Sequence, residues 1–259
     1  MSTIATTNIK EPSSATNNIT LTSGGDTTIS GNATISGNAT VSSLNNGYLA
    51  GTRNLLINGN PMINQRGYVS GTATTGANEY TLDRWRVVTL GQSISFSDSN
   101  NVQTVTAPAG GVEQVIEGLN ISSGTYTLSW TGTATATVDG VSVSNGGQVT
   151  LTGGTNATVK FSGGTFSLAQ LEPGPVATPF ERRSYGQELA LCQRYYEKRT
   201  VVIYSGANPL PYHPFVEMRA TPTITGGGAG FVAATPSNRY ALIYQTSQSN
   251  QTLELSAEL

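Results

Sequence analysis

Apolar and polar residues alternate with a period of two through most of the chain's middle. The alternating runs are Arg84–Thr89, Ser93–Ser97, Asn101–Thr106, Gly124–Trp130, Thr133–Val138, Val141–Val143, Gln148–Leu151, Ala157–Phe161 and Thr165–Leu171. Successive side chains of a strand leave on opposite faces, so each run reads as a strand with one face buried. Gly- and Asn-rich turns separate the runs, and Asp139-Gly140 between two of them is the strongest short hairpin signal. No helical stretch interrupts the series. An antiparallel β-sandwich of the jelly-roll kind is predicted over residues 53–182.

A change of period follows. Ser184 can cap a helix, and Gln187 stands three residues on, the capping-box spacing. Tyr185, Leu189, Cys192 and Tyr196 then fall on one helical face, so a linking helix is expected at 183–199, just after Pro173, Pro175 and Pro179. Strand patterns return at Thr200–Tyr204, Pro214–Met218, Thr221–Thr225, Gly230–Ala233, Arg239–Gln245 and Thr252–Leu255. They predict a small C-terminal β domain over 200–259, marginal by itself. The whole chain reads as all-β with one short helix.

Residues 1–52 differ. A hexad repeats there as Gly25–Ser30, Gly31–Ser36 and Gly37–Ser42, with Ile29, Ile35 and Val41 at its fifth position. Such β-branched residues favour extended chain, but three of them cannot offset the cost of ordering the segment alone. A polar linker is one outcome; an extended arm or a thin shaft completed by identical chains is the other, and the one favoured.

Composition narrows the function classes. Charged residues are 11% of 259, against roughly 25% in an average globular chain, and Gly accounts for 30 residues. Thirteen Lys and Arg against 15 Asp and Glu leave a net charge of −2, with no basic surface for nucleic acid or anionic lipid. A single Cys (Cys192) excludes an intrachain disulfide and a Cys-based zinc site, and a single His (His213) excludes a His-rich metal centre. No apolar run approaches the roughly 18 residues of a membrane-spanning helix. The opening residues lack the basic and apolar regions of a signal peptide, so synthesis in the cytoplasm without a leader is expected. No cofactor and no metal are expected. This balance suits a structural or binding protein.

A search for catalytic signatures is empty. There is no Gly-x-Ser-x-Gly elbow, Walker loop, His-Glu-x-x-His or EF-hand loop, and Gly226–Gly230 lacks the Lys of a phosphate cradle. Paired carboxylates could hydrolyse a glycoside, with Asp83, Asp98, Glu113, Glu117, Asp139 and Glu172 as candidates, though turn and strand-edge contexts point to solvation or pairing with Arg84 or Arg86. Cys192 on the apolar helix face reads as a core residue. Trp85 and Trp130, in alternating strands, read as packing residues before sugar platforms. Tyr204, Tyr212 and His213 form the candidate ligand-binding set, an aromatic cluster with one imidazole.

Several stretches resemble phage virion proteins, tail-fibre and related surface proteins above all. They are Asn54–Arg66 (Asn-Leu-Leu-Ile-Asn-Gly-Asn-Pro-Met-Ile-Asn-Gln-Arg) with Tyr80–Trp85, then Ala169–Tyr196, which carries Gln-Leu-Glu-Pro-Gly and Ala-Leu-Cys-Gln-Arg-Tyr-Tyr, and finally Phe215–Thr223. The segment Ile9–Asn18 is similar to the start of fibre proteins that attach to the particle. This resemblance implies a homotrimer displayed on the virion surface, with a jelly-roll domain akin to carbohydrate-binding modules and no shared catalytic residues. Its implied role is a short tail fibre or receptor-binding appendage contacting host surface glycans, held to other virion proteins through residues 1–52. A trimeric capsid decoration protein would use the same parts, and a polysaccharide-degrading spike is the third reading.

Overall fold

A computed structural model describes residues 8–9, 19–21, 27–29, 52–203, 212–226, 232–234, 236–244 and 249–259. The chain divides into two compact units, Met1–Ser42 and Ser43–Leu259.

In the first unit, β1 (Asn8–Ile9), β2 (Ile19–Leu21) and β3 (Thr27–Ile29) form an antiparallel sheet in chain order. Its register sets Ile9 opposite Ile19, and Ile19 opposite Ile29, the fifth residue of the first hexad. These pairings are made within one chain. The second and third hexads lie outside the described residues.

The second unit begins with a sandwich. One sheet contains β4 (Glu79–Tyr80), β5 (Arg86–Val87), β8 (Val112–Ile116), β10 (Thr135–Val138), β11 (Val141–Val143) and β13 (Ala157–Ser162), in the order β11-β10-β13-β8-β5-β4. The other contains β6 (Ser95–Ser99), β7 (Val102–Ala107), β9 (Gly124–Thr131), β12 (Gly147–Leu151) and β14 (Gly164–Pro173), in the order β12-β9-β14-β7-β6. All pairings are antiparallel. Only β4–β5, β6–β7 and β10–β11 join neighbours in one sheet; every other connection of the sandwich crosses to the facing sheet, the habit of a jelly roll.

Both inner faces feed one continuous core. At its centre Phe161 of β13 stacks on Phe166 of β14 with centroids 4.4 Å apart, Trp85 lies 5.1 Å from Phe166, and Trp130 meets Phe161 edge-on at 5.3 Å. Both tryptophans are therefore core residues, each stabilising the fold by about 2–3 kcal/mol of burial. The predicted hairpin is present: Asp139 and Gly140 have φ of 49° and 80°, as a type I′ turn requires, and Val138 faces Val141 across it.

Strand β8 breaks the alternating pattern, since four of its five residues are buried. Among them Gln114 accepts from Ile57 N–H and donates to Ile57 C=O, both at 2.8 Å, so its amide acts as a rung to a chain segment that is not a strand. In β14 the register slips between Ser167 and Gln170, with Leu168 at φ 49°. That bulge leaves Ala169, Gln170, Leu171 and Glu172 all buried, where strict alternation would expose two of them.

The helix α1 covers Tyr185–Gln193 and is capped by the Ser184 hydroxyl, which accepts from Gln187 N–H. It is shorter than the expected 183–199. Tyr196 already belongs to β15 (Tyr196–Ile203), because from there the backbone is taken up by the ladder to β20 (Ser249–Ser256). Of the expected face, Cys192 is the one member buried within α1, Tyr196 is buried in β15, and Tyr185 is 66% exposed. The remaining strands are β16 (Tyr212–Pro214), β17 (Thr223–Gly226), β18 (Val232–Ala234) and β19 (Tyr240–Tyr244). They complete two three-stranded sheets, β15-β20-β17 and β16-β19-β18, over a second core that includes Met218, Ile243, Leu253 and Leu255. A third small cluster, Ile57, Ile63, Cys192 and Tyr195, lies between α1 and the first segment of the sandwich.

Candidate functional site

Of the aromatic set named from the sequence, Tyr212 and His213 lie within the described residues. Tyr204 lies outside the described residues. Tyr212 and His213 are consecutive in β16, opposite Leu242 and Ala241 of β19. His213 is half-buried, its Nε2 has no hydrogen-bond partner among the described residues, and burial together with nearby Arg199 holds its pKa below the usual imidazole value. The ring is neutral at neutral pH.

What the fold does assemble is a polar junction built from residues far apart in the chain. Asn54 and Arg53 donate their backbone N–H groups to Glu181 at 2.7 Å each. Asn58, at φ 57°, donates its amide to Ile63 and Asp83 carbonyls at 3.0 Å and accepts from Ile63 N–H, while its own carbonyl takes the Trp85 indole proton at 2.9 Å. Gln65 bridges Asp83 and the Tyr196 carbonyl at 2.6 and 2.8 Å. Arg84, also at positive φ, stacks on Tyr195, pairs with Glu258 and donates to Val115 C=O. Arg66 stacks 3.6 Å from the Tyr196 ring centroid and bridges Asp83 and Glu258. Burial pushes the Tyr195 phenol up to about 12 and the Cys192 thiol well above its usual value, so neither is poised to react.

The candidate carboxylates are largely committed to this scaffold. Asp83 faces Gln65 and Arg66, Glu113 pairs with Arg86 at 2.7 Å, and Glu117 with Arg194 at 2.9 Å. Glu172 accepts from Thr178 N–H and hydroxyl, and Asp139 from Thr158 N–H. Asp98 is exposed in β6. Among the described residues no three His, Cys, Asp or Glu side chains gather where they could hold an ion.

One cleft stands beside the junction. It encloses ≈ 260 Å³ and is walled by Met62, Phe180 and Tyr185, with Asn60, Asn101 and Arg182 also lining it. Its floor is closed by internal bonds: Arg183 binds Glu188 at 3.2 Å and the Leu56 carbonyl, and Glu188 accepts Asn58 N–H at 2.5 Å. Asn60 is pinned between Asn101 C=O and Gln103 N–H, both at 2.9 Å. An exposed tyrosine, a half-buried phenylalanine and a guanidinium around one opening can pack a ring against an apolar wall and fix a polar substituent. None of these residues was singled out from the sequence as part of a site. The Phe180-Glu-Arg-Arg183 segment enters only as part of the resembling stretch Ala169–Tyr196, and Tyr185 falls on the expected apolar face.

Comparison of the chain with models of known protein families, with curated proteins and with solved structures finds no match.

Proposed function

We propose that the chain is a non-enzymatic structural protein of a phage virion, a short trimeric tail fibre or receptor-binding appendage that meets host surface glycans. The observation that carries this reading is the convergence of the resembling stretches. Asn54 bonds to Glu181, Trp85 to Asn58, Gln65 to Tyr196, and Arg219 N–H to Arg194 C=O at 2.9 Å. Residues that resemble virion proteins thus form one set of mutual contacts joining the sandwich to the C-terminal strands. The commitment of most candidate carboxylates to that framework supports a binding role over a degradative one. The sandwich and the aromatic cleft supply a contact surface, and three chains would multiply a low affinity per site.

Antibody-gold labelling of purified particles tests the reading. Label on the tail is the expected result; label on the head would replace the fibre by a capsid decoration protein, and unlabelled particles would overturn both. Light scattering of the pure protein should give three times the chain mass of 27.0 kDa, and a single-chain mass would remove the trimer.

A further inference from the structure

We propose that the cleft walled by Phe180 and Tyr185 is a glycan subsite that takes an anionic sugar, a pyranose ring bearing a carboxylate. The inference rests on the receptor-binding reading and adds to it a place and a ligand class.

Charge distribution carries the argument. Ten arginines lie in the described residues, and nine of them have a carboxylate within 4.0 Å: Arg53, Arg66, Arg84, Arg86, Arg183, Arg194, Arg199, Arg219 and Arg239. The tenth is Arg182. It has neither an ion pair nor a hydrogen bond among the described residues, it is exposed, and it lines the cleft. In a chain with few charges and a net charge of −2, the other described arginines are all spent on internal pairs.

The rest of the lining agrees. Among the described residues its only carboxylate, Glu188, is neutralised by Arg183 and by Asn58 N–H, so this lining keeps the one positive charge of Arg182. A guanidinium presents parallel N–H groups that match a carboxylate bidentately. Tyr185 and Phe180 offer ring faces for the apolar face of a pyranose, and the Asn101 side chain, without a hydrogen-bond partner among the described residues, offers an amide to ring hydroxyls. A volume of ≈ 260 Å³ falls just under the roughly 300 Å³ at which sites for drug-sized ligands begin. One sugar ring is the occupant of that scale.

Titration of the full chain with oligogalacturonate, oligoglucuronate and a sialylated oligosaccharide, followed by ligand-observed NMR, tests the proposal, with fully methyl-esterified oligogalacturonate as the uncharged control. At least one acidic probe should bind, its ester about tenfold more weakly, and Arg182→Gln should weaken the acid about tenfold without affecting the ester. Tyr185→Ala should weaken both. Because Arg182 holds no internal partner, R182Q should keep the wild-type melting curve, and Lys160→Gln, which removes a cation away from the cleft, should leave binding unchanged. Equal binding of acid and ester, or an unchanged affinity in R182Q, overturns the subsite. Failure of every acidic probe overturns it too, and neutral glycans bound by the same preparation would leave the receptor-binding reading standing. Absence of binding to acidic and neutral glycans alike would sink the glycan reading itself.

Discussion

The guanidinium carbon of Arg84 lies 3.5 Å from the ring centroid of Tyr195, with both side chains buried. Arg84 comes from the turn before β5 and Tyr195 from the end of α1, and Arg84 also pairs with Glu258 beyond β20. A single side chain thereby ties the sandwich to the helix and to the last strand. Removing one member of a buried ion pair costs about 3–5 kcal/mol. Arg84→Met should lose stability near the lower end, since Arg66 still reaches Glu258 at 3.1 Å. Arg84→Lys should recover part of it, because the charge returns without the planar stack. Urea unfolding with a common m-value is the measurement; an R84M loss under about 1 kcal/mol would mean that the stack and the pair contribute little.

Gln114 makes a second prediction of a different kind. Its amide satisfies both the N–H and the C=O of Ile57 in a buried site. Gln114→Leu matches its volume but leaves two backbone groups unpaired, at about 1–3 kcal/mol each. The expected loss is about 3 kcal/mol in denaturant unfolding. A near-neutral result would require water to reach Ile57.

These two residues also mark where sequence reading stops. Strands that alternate, such as β10 and β13, are legible because one face meets the core and the other does not. The β8 strand is not, since its Gln114 replaces an apolar residue for a hydrogen-bonding reason that only appears when Ile57 lies beside it. Helix α1 is legible at its start, where Ser184 acts locally on Gln187, and not at its end. There the pairing of Tyr196 with Ser256, sixty residues away in sequence, overrides the helical spacing. The cleft was illegible for a related reason. Met62, Asn101 and Phe180 come from three separate segments, and the lack of a partner that distinguishes Arg182 is a property of the folded surroundings, invisible in its own sequence neighbourhood.

The hairpin turn isolates a backbone term. Gly140 has φ 80°, and a Cβ added there would meet nothing within 4 Å. Gly140→Ala therefore costs only the left-handed conformation of an L-residue, about 1–2 kcal/mol. Gly59 is the contrast: its Cβ would come within 2.3 Å of Ala169 C=O, so Gly59→Ala must displace a core strand and should cost more than G140A. Thermal melts of the two variants side by side check the order, and equal losses would contradict the steric account.

Acid titration should separate Asp83 from Glu79 by sign. Burial raises the Asp83 pKa above its usual 3.8, against the lowering by Gln65 and Arg66. Folded protein then holds the Asp83 proton more tightly than unfolded protein does. Its contribution to stability is complete below pH 3.8 and is lost as pH rises through the raised folded value. Glu79 has its pKa lowered from 4.5: burial acts to raise it, but hydrogen bonds from Gly76 and Thr75 outweigh that. Its contribution is present above pH 4.5 and is lost as pH falls through the lowered value. Wild type should therefore gain on Asp83→Asn as the solution is taken from pH 7 toward pH 4, and should lose ground to Glu79→Gln on going lower still. Stability differences measured against each variant across that range give the two slopes directly, and slopes of the same sign would show that burial does not govern Asp83.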